Sequence, residues 1–170
     1  MLRAASQPRL KPLTVSWAGN SAILGSRHWS LRGSRVPGRR SADSSVYLPG
    51  RNLVLLSQAG AFCAAKHLPA AAIGILRGNP FPDAKPAFLR SMERAIGAAY
   101  AMPFKVWAPY RSMTKREALN RVPAPGWLRH AFSCLAPVGG RPCGRCNKCA
   151  ERDSVLDQLN GSDKAPARPH

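Results

Sequence analysis

Four of the five cysteines in this chain lie within sixteen consecutive residues near its carboxyl end, and this cluster constrains the fold more than any other feature. It consists of Cys134, Cys143, Cys146 and Cys149. Two overlapping C-x-x-C steps suit a tight turn whose sulfurs converge on one point, and Gly144 gives that turn backbone freedom. The Gly139-Gly140 loop is expected to bring Cys134 back to complete a tetrahedral site.

The four thiolates favour a structural zinc ion, because four protein ligands leave no coordination position open. Nearby cations would lower the thiol pKa values and offset the charge of the centre. They are Arg141, Arg145, Lys148 and Arg152. The alternatives are an iron–sulfur cluster, a disulfide pair or ordinary thiols. A bacterial ferredoxin motif would place another cysteine and a proline soon after Cys149, where Ala150-Glu151-Arg152 stands. Cys63 lies in an apolar run and is predicted to be a buried small hydrophobe.

The formal charge of +18 leaves two interpretations open. One is a solvated basic surface that reflects a coding bias towards arginine, and the other is non-specific electrostatic attraction to nucleic acid. A membrane span is not expected, since the most apolar stretch, 53–76, is interrupted by Lys66, His67 and Pro69. Residues 1–11 lack the apolar core of a secretory signal, so the expected location is the cytoplasm, and disulfides are disfavoured.

The pattern of residues divides the chain into four ranges. Residues 1–45 are basic and rich in Gly, Pro and Ser, which indicates a poorly ordered segment with one short strand at 13–17. Residues 46–132 are predicted to form an α/β domain and residues 133–156 a zinc knuckle. Residues 157–170 are predicted to be a disordered tail.

Helices and strands alternate within the predicted α/β domain. Helices are expected at 53–66 and 86–100, and the buried face of the first is expected to carry Leu53, Leu56, Ala59, Phe62 and Cys63. Strands are expected at 70–76 and 104–108. A capping box, Thr114-Lys115-Arg116-Glu117, predicts a third helix that ends near residue 122. This alternation with short links predicts part of a Rossmann-like parallel sheet covered by helices.

Four stretches, taken in order, resemble the 7-cyano-7-deazaguanine synthase family of queuosine precursor biosynthesis. They are Tyr47-Leu48-Pro49-Gly50-Arg51-Asn52, Gly78-Asn79-Pro80-Phe81-Pro82-Asp83, Met113-Thr114-Lys115, and the cysteine set with Ser133 and Arg152. The resemblance covers roughly residues 46–156. It implies an ATP pyrophosphatase fold with structural zinc, and a ligase that uses ATP, magnesium and ammonia to convert 7-carboxy-7-deazaguanine into the nitrile.

The chain departs from the family in one important motif. Enzymes of this type carry a Ser-Gly-Gly-x-Asp-Ser loop whose backbone N–H groups bind the ATP phosphates, and these 170 residues contain none. The chain is therefore interpreted as a truncated or divergent member whose isolated form is inactive. Its partial sheet would have an open edge, which suits a second chain that supplies the nucleotide-binding half, or a homodimer. The alternatives are a non-catalytic subunit of a split synthase and a zinc-stabilised nucleic-acid-binding module.

Four residues of the matching stretches are the candidate site residues. Asp83 and Lys115 are predicted to be catalytic, and Arg51 and Asn52 to bind the deazapurine substrate or a phosphate. Each has a structural alternative. Asn52 and Asp83 are also typical helix-cap and turn residues, and the two cations suit a solvated surface.

Overall fold

The computed structural model describes residues 14–15, 24–121 and 131–162. The elements in chain order are α1 (Trp29–Arg32), a 3₁₀ turn (Asp43–Val46), α2 (Arg51–Ala65), β1 (Ala70–Ala72), a 3₁₀ turn (Pro82–Ala84), α3 (Pro86–Ala99), β2 (Lys105–Trp107), α4 (Lys115–Asn120) and α5 (Asn147–Ser162). Strands β1 and β2 pair in parallel, with Ala71 opposite Val106. The mixed helix–strand architecture with a parallel sheet confirms the predicted α/β class.

The core lies between this two-stranded sheet and the helices α2 and α3. Helix α3 begins at Pro86, whose fixed φ suits a first helical position, and it buries a regular stripe formed by Leu89, Met92 and Ile96. The outer edge of β2 is covered, because the side chain of Glu93 accepts a hydrogen bond from the Val106 N–H at 2.9 Å. The other edge of β1 pairs with no strand in the part of the chain that the structure describes.

Both strands are shorter than predicted, because parallel pairing stops where β2 reaches a proline. The Ile73 N–H still donates to the Trp107 carbonyl at 2.8 Å, but Pro109 carries no N–H with which to continue the ladder. The chain turns there instead, and the Arg111 N–H donates to the Ala108 carbonyl. Residues 73–76, predicted as strand, therefore run beyond the sheet towards the candidate site.

The buried face of α2 agrees only in part with the predicted one. Leu56 and Cys63 are buried as predicted, together with Gly60, but Leu53 and Phe62 are 46% and 40% exposed. Gly60 explains this choice, since a Cβ atom there would lie 2.8 Å from Ile96 Cγ2 of α3. The bare glycine lets the two helices approach closely on that side. Apolar residues occur on several sides of α2, so helical periodicity alone did not select the face.

Two segments predicted to be poorly ordered contain secondary structure. Residues 24–46 include α1 and the 3₁₀ turn at Asp43–Val46. They contact the cysteine segment, defined as residues 133–156. Helix α5 continues to Ser162, into the range predicted as a tail. The strand predicted at 13–17 lies outside the described residues except for Thr14 and Val15. None of the described helices has the length and apolar composition that a membrane span requires.

Candidate metal centre and adjoining cavity

The four clustered cysteines converge as their spacing predicted. The Sγ atoms of Cys134, Cys143, Cys146 and Cys149 all lie within 4.8 Å of one another. A hairpin brings the first of them back, because Gly139 and Gly140 adopt positive φ values of 55° and 75° while Val138 and Arg141 pair across the turn. The Cys143 N–H then donates to the Cys134 sulfur at 3.2 Å.

The donor set fits a structural zinc ion. Zinc–sulfur bonds of about 2.3 Å in a tetrahedron place the sulfurs about 3.8 Å apart, so the observed grouping needs little adjustment. The Sγ atoms of Cys146 and Cys149 are 3.5 Å apart. The Leu135 N–H donates to the Cys146 sulfur at 3.5 Å, and such backbone donors stabilise metal-bound thiolates. Four protein ligands would leave no position for water or substrate, so the metal would hold the fold together rather than react.

The thiols of the cluster differ in their readiness to ionise. The backbone N–H of Arg145 lowers the pKa of Cys143 to about 6. Burial acts to raise the pKa of Cys146, but backbone N–H groups of Leu135 and Cys149 outweigh it, and the pKa lies below its ordinary value. Burial raises the pKa of Cys149 to about 12. A bound cation would supply the charge needed to ionise that last thiol.

An N-terminal clamp, defined as residues 37–41, holds the cysteine segment from the other side. The Asn147 N–H donates to the Pro37 carbonyl at 2.8 Å, and its side-chain amide donates to the Ser41 carbonyl at 2.7 Å. Arg39 donates to the Gly144 carbonyl and forms an ion pair with Asp153 at 2.8 Å. Sequence reasoning missed this clamp, since its Gly, Pro and Arg composition is equally typical of a loop.

The clamp yields a prediction about metal retention. We expect Arg39→Ala to speed loss of the metal to a chelator by about threefold, because it frees the turn at Gly144 and removes a partly exposed ion pair of modest strength. Release is measured with a colorimetric zinc indicator. Arg40→Ala is the matched control, since Arg40 is exposed and its side chain forms no hydrogen bond or ion pair with the described residues. Equal release rates in both variants would contradict the role of the clamp.

Two of the predicted site residues, Asn52 and Asp83, pair with each other inside the core. Asn52 and Asp83 are only 3% and 7% exposed. The Asp83 carboxylate accepts the backbone N–H of Asn52 at 2.9 Å, and the Asn52 side-chain amide donates to the Asp83 carbonyl at 3.0 Å. Because Gly50 provides no capping side chain, Asp83 serves as the cap of α2 from a distant part of the chain. Arg51, at the start of α2, is exposed.

The fourth predicted site residue, Lys115, lines a cavity of about 260 Å³. The cavity lies beyond the carboxyl ends of β1 and β2, where open α/β sheets place their ligands. Its walls include Gly74, Leu76, Arg77, Asn79, Phe81, Lys115, Lys148 and Glu151. Lys115 is the only one of the four predicted site residues outside the cysteine cluster that reaches this cavity. Lys148 and Glu151 belong to the cysteine segment, and neither was singled out as a site residue from the sequence.

Glu151 joins the two lysines of the cavity. Lys115 donates to one oxygen of its carboxylate at 2.8 Å and Lys148 to the other at 2.7 Å. Burial acts to raise the pKa of Glu151, but these two ammonium groups outweigh it and hold the pKa below its ordinary value. The network ties the first turn of α4 to the first turn of α5, so the cysteine segment forms one wall of the cavity.

Fold and site together define a class: an α/β protein with a parallel sheet, a cavity at the strand ends and a C-terminal cluster of four cysteines that could hold a metal ion. Residues 18–160 match the family model described as "Queuosine biosynthesis protein QueC". The chain is 32% identical over 157 residues to a 7-cyano-7-deazaguanine synthase of Anaeromyxobacter sp. (strain Fw109-5). The aligned region covers 87% of this chain and 67% of the relative. The chain belongs to the QueC family of queuosine biosynthesis.

Two further relatives carry the same name. The synthase of Erythrobacter litoralis (strain HTCC2594) is 35% identical over 118 residues, covering 63% of this chain and 49% of the relative. A synthase from Leptospira interrogans serogroup Icterohaemorrhagiae serovar copenhageni (strain Fiocruz L1-130) is 28% identical over 145 residues. That match covers 79% of this chain and 56% of the relative. This chain thus spans about half to two thirds of the length of the curated relatives it matches.

Proposed function

We propose that this chain forms the deazapurine-binding part of a 7-cyano-7-deazaguanine synthase and depends on a further segment for ATP. The observation that carries the proposal is the cation-lined cavity at the carboxyl ends of the parallel strands. The cysteine segment forms one of its walls. Family membership supports the substrate, since the curated relatives are named for that product. Phe81 and Leu76 offer apolar surface for a planar heterocycle, while Lys115 and Lys148 offer positive charge.

The chemistry explains why both halves are needed. A carboxylate is a poor electrophile because its leaving group would be oxide. Transfer of adenylate from ATP, with release of pyrophosphate, gives an acyl adenylate, and ammonia displaces AMP to form the amide. A second activation by ATP then removes the amide oxygen and yields the nitrile. Fixed N–H donors are required where the phosphates develop charge, and scattered surface arginines do not replace such a cradle.

Lys115 and the four cysteines would have different roles in this reaction. Lys115 would contact the substrate at the cavity, and zinc held by the four cysteines would keep α5 and its side chains in place. The catalytic role of Asp83 and the substrate-binding roles of Arg51 and Asn52 stay predictions. The cap that Asp83 forms on α2 offers a second, structural reason for an aspartate at this position.

The experiment that tests this function is nitrile formation with 7-carboxy-7-deazaguanine, ATP, magnesium and ammonium, followed by mass spectrometry. We expect the 170-residue chain alone to give no product above background. Addition or fusion of a segment with the Ser-Gly-Gly-x-Asp-Ser loop should restore turnover. In the restored enzyme, Lys115→Ala should lower kcat/KM by about a hundredfold, a size typical of a lost charged contact in a reacting complex.

Lys66→Ala serves as the matched control in the restored enzyme, because Lys66 is exposed at the far end of α2. Its kcat/KM should remain within about twofold, as expected for a surface substitution. Robust turnover by the chain alone would show that the missing loop is dispensable. A restored enzyme that is indifferent to Lys115→Ala would remove Lys115 from the site.

A further inference from the structure

Lys148 belongs to the cysteine segment but is not one of the four candidate metal ligands. It lies between Cys146 and Cys149, yet its side chain leads away from the sulfurs to the cavity, where it meets Glu151 at 2.7 Å and Asp43 at 3.7 Å. Its side chain is 25% exposed, so it retains contact with solvent in the cavity.

The two lysines in this part of the cavity have few close hydrogen-bond partners. Lys115 and Lys148 share the single carboxylate of Glu151. Asp43 is the nearest further acid, but its side chain is 65% exposed and its 3.7 Å separation from Lys148 is too long for a hydrogen bond. An ammonium group has three N–H donors. Among the described residues, Lys115 uses one of them, on Glu151.

Glu151 also fixes where the unused donors lie. It holds one lysine on each of its two oxygens, so both ammonium groups stay within hydrogen-bond reach of one carboxylate. A second carboxylate that enters the cavity meets two cations that Glu151 already holds beside each other. This arrangement is pre-organised, since the lysines need not be gathered from solvent when the ligand binds.

We propose that Lys148 and Lys115, held together by Glu151, form a subsite for the carboxylate of a planar heterocyclic ligand. The inference rests on the proposed function for the nature of the ring and adds the residues that recognise its acidic group. Lys148 then acts as a residue that the cysteine segment contributes to the cavity and that selects for the ligand's carboxylate. Phe81 and Leu76, which also line the cavity, leave apolar surface for the ring.

Ligand-observed NMR titrations of the zinc-loaded 170-residue chain test this subsite. Three probes are compared: 7-carboxy-7-deazaguanine, 7-deazaguanine, which lacks the carboxylate, and indole-3-carboxylate, which lacks the aminopyrimidinone ring. We expect the native chain to bind the first about fivefold more tightly than the second, a modest factor because the lysines are partly exposed. Lys148→Gln should remove this preference and leave 7-deazaguanine binding within about twofold. Lys148→Arg should restore part of the preference.

Zinc content is measured for every variant, and Lys66→Gln is the matched control, expected to behave as the native chain. Equal weakening of both deazapurines by Lys148→Gln, or a native chain that shows no preference, would overturn the subsite. If indole-3-carboxylate binds as tightly as 7-carboxy-7-deazaguanine and depends on Lys148, the subsite stands and the deazapurine assignment fails. Failure of all three probes to bind would overturn both.

Discussion

Replacing Cys146 with serine is expected to abolish metal binding and to leave little folded protein. Cys146 is fully buried, at 0% exposure, and its sulfur lies among the other three thiols. Binding of a structural zinc ion to small cysteine sites contributes about 10–16 kcal/mol to folding, which exceeds the net stability of a typical domain. Metal analysis of the native protein should give about one zinc per chain. The variant should give almost none, with folded yield followed by circular dichroism.

Cys63→Ser is the control for this experiment. Cys63 is buried in α2, outside the cluster, and its thiol donates to the Ala70 carbonyl at 3.4 Å, a contact that a serine hydroxyl can replace. This variant should keep its zinc and lose about 1–2 kcal/mol of unfolding free energy, because a hydroxyl replaces a more apolar thiol in the core. Iron with acid-labile sulfide in the native protein would contradict the zinc assignment. So would full zinc content in Cys146→Ser.

We expect Asp83→Ala to lower the free energy of unfolding by about 3 kcal/mol. Its carboxylate is buried and accepts the Asn52 N–H at 2.9 Å at the start of α2. Alanine removes that charged acceptor, leaves a buried N–H without a partner, and takes a negative charge from the positive end of the helix dipole. Urea denaturation of the zinc-loaded protein measures the change.

Asp83→Asn separates capping from chemistry. Its amide oxygen still accepts the Asn52 N–H, so the loss should be only about 1 kcal/mol, and a chemical role that needs the carboxylate would still be lost. Asp157→Ala, at an exposed position of α5, should change the unfolding free energy by less than about 0.5 kcal/mol. Equal stability of Asp83→Ala and the native chain would show that the cap is unimportant. A comparison of nitrile formation between the native restored enzyme and its Asp83→Asn form then tests whether the carboxylate has a chemical role.

Local sequence rules predicted the helices best where a single residue sets a boundary. Pro86 begins α3, and the Thr114–Glu117 capping box begins α4, with both reciprocal hydrogen bonds present. The strands were predicted at the correct places but with too many residues, because their ends depend on pairing across the sheet and not on composition. The buried side of α2 was predicted only in part for a similar reason, as it depends on how closely Gly60 lets α3 approach.

The sequence by itself determined the cysteine cluster and the family, because both depend on residue types at short, fixed spacings. Only the tertiary structure decided which side chains meet at the site. The Asn147 amide contacts Ser41 across 106 positions of sequence, Asp83 caps a helix 31 positions earlier, and Glu151 joins lysines from two helices. Such contacts have no periodic signature, since they arise only when the hydrophobic core sets the distance and angle between elements. The cavity beside the cysteine cluster is a product of that packing.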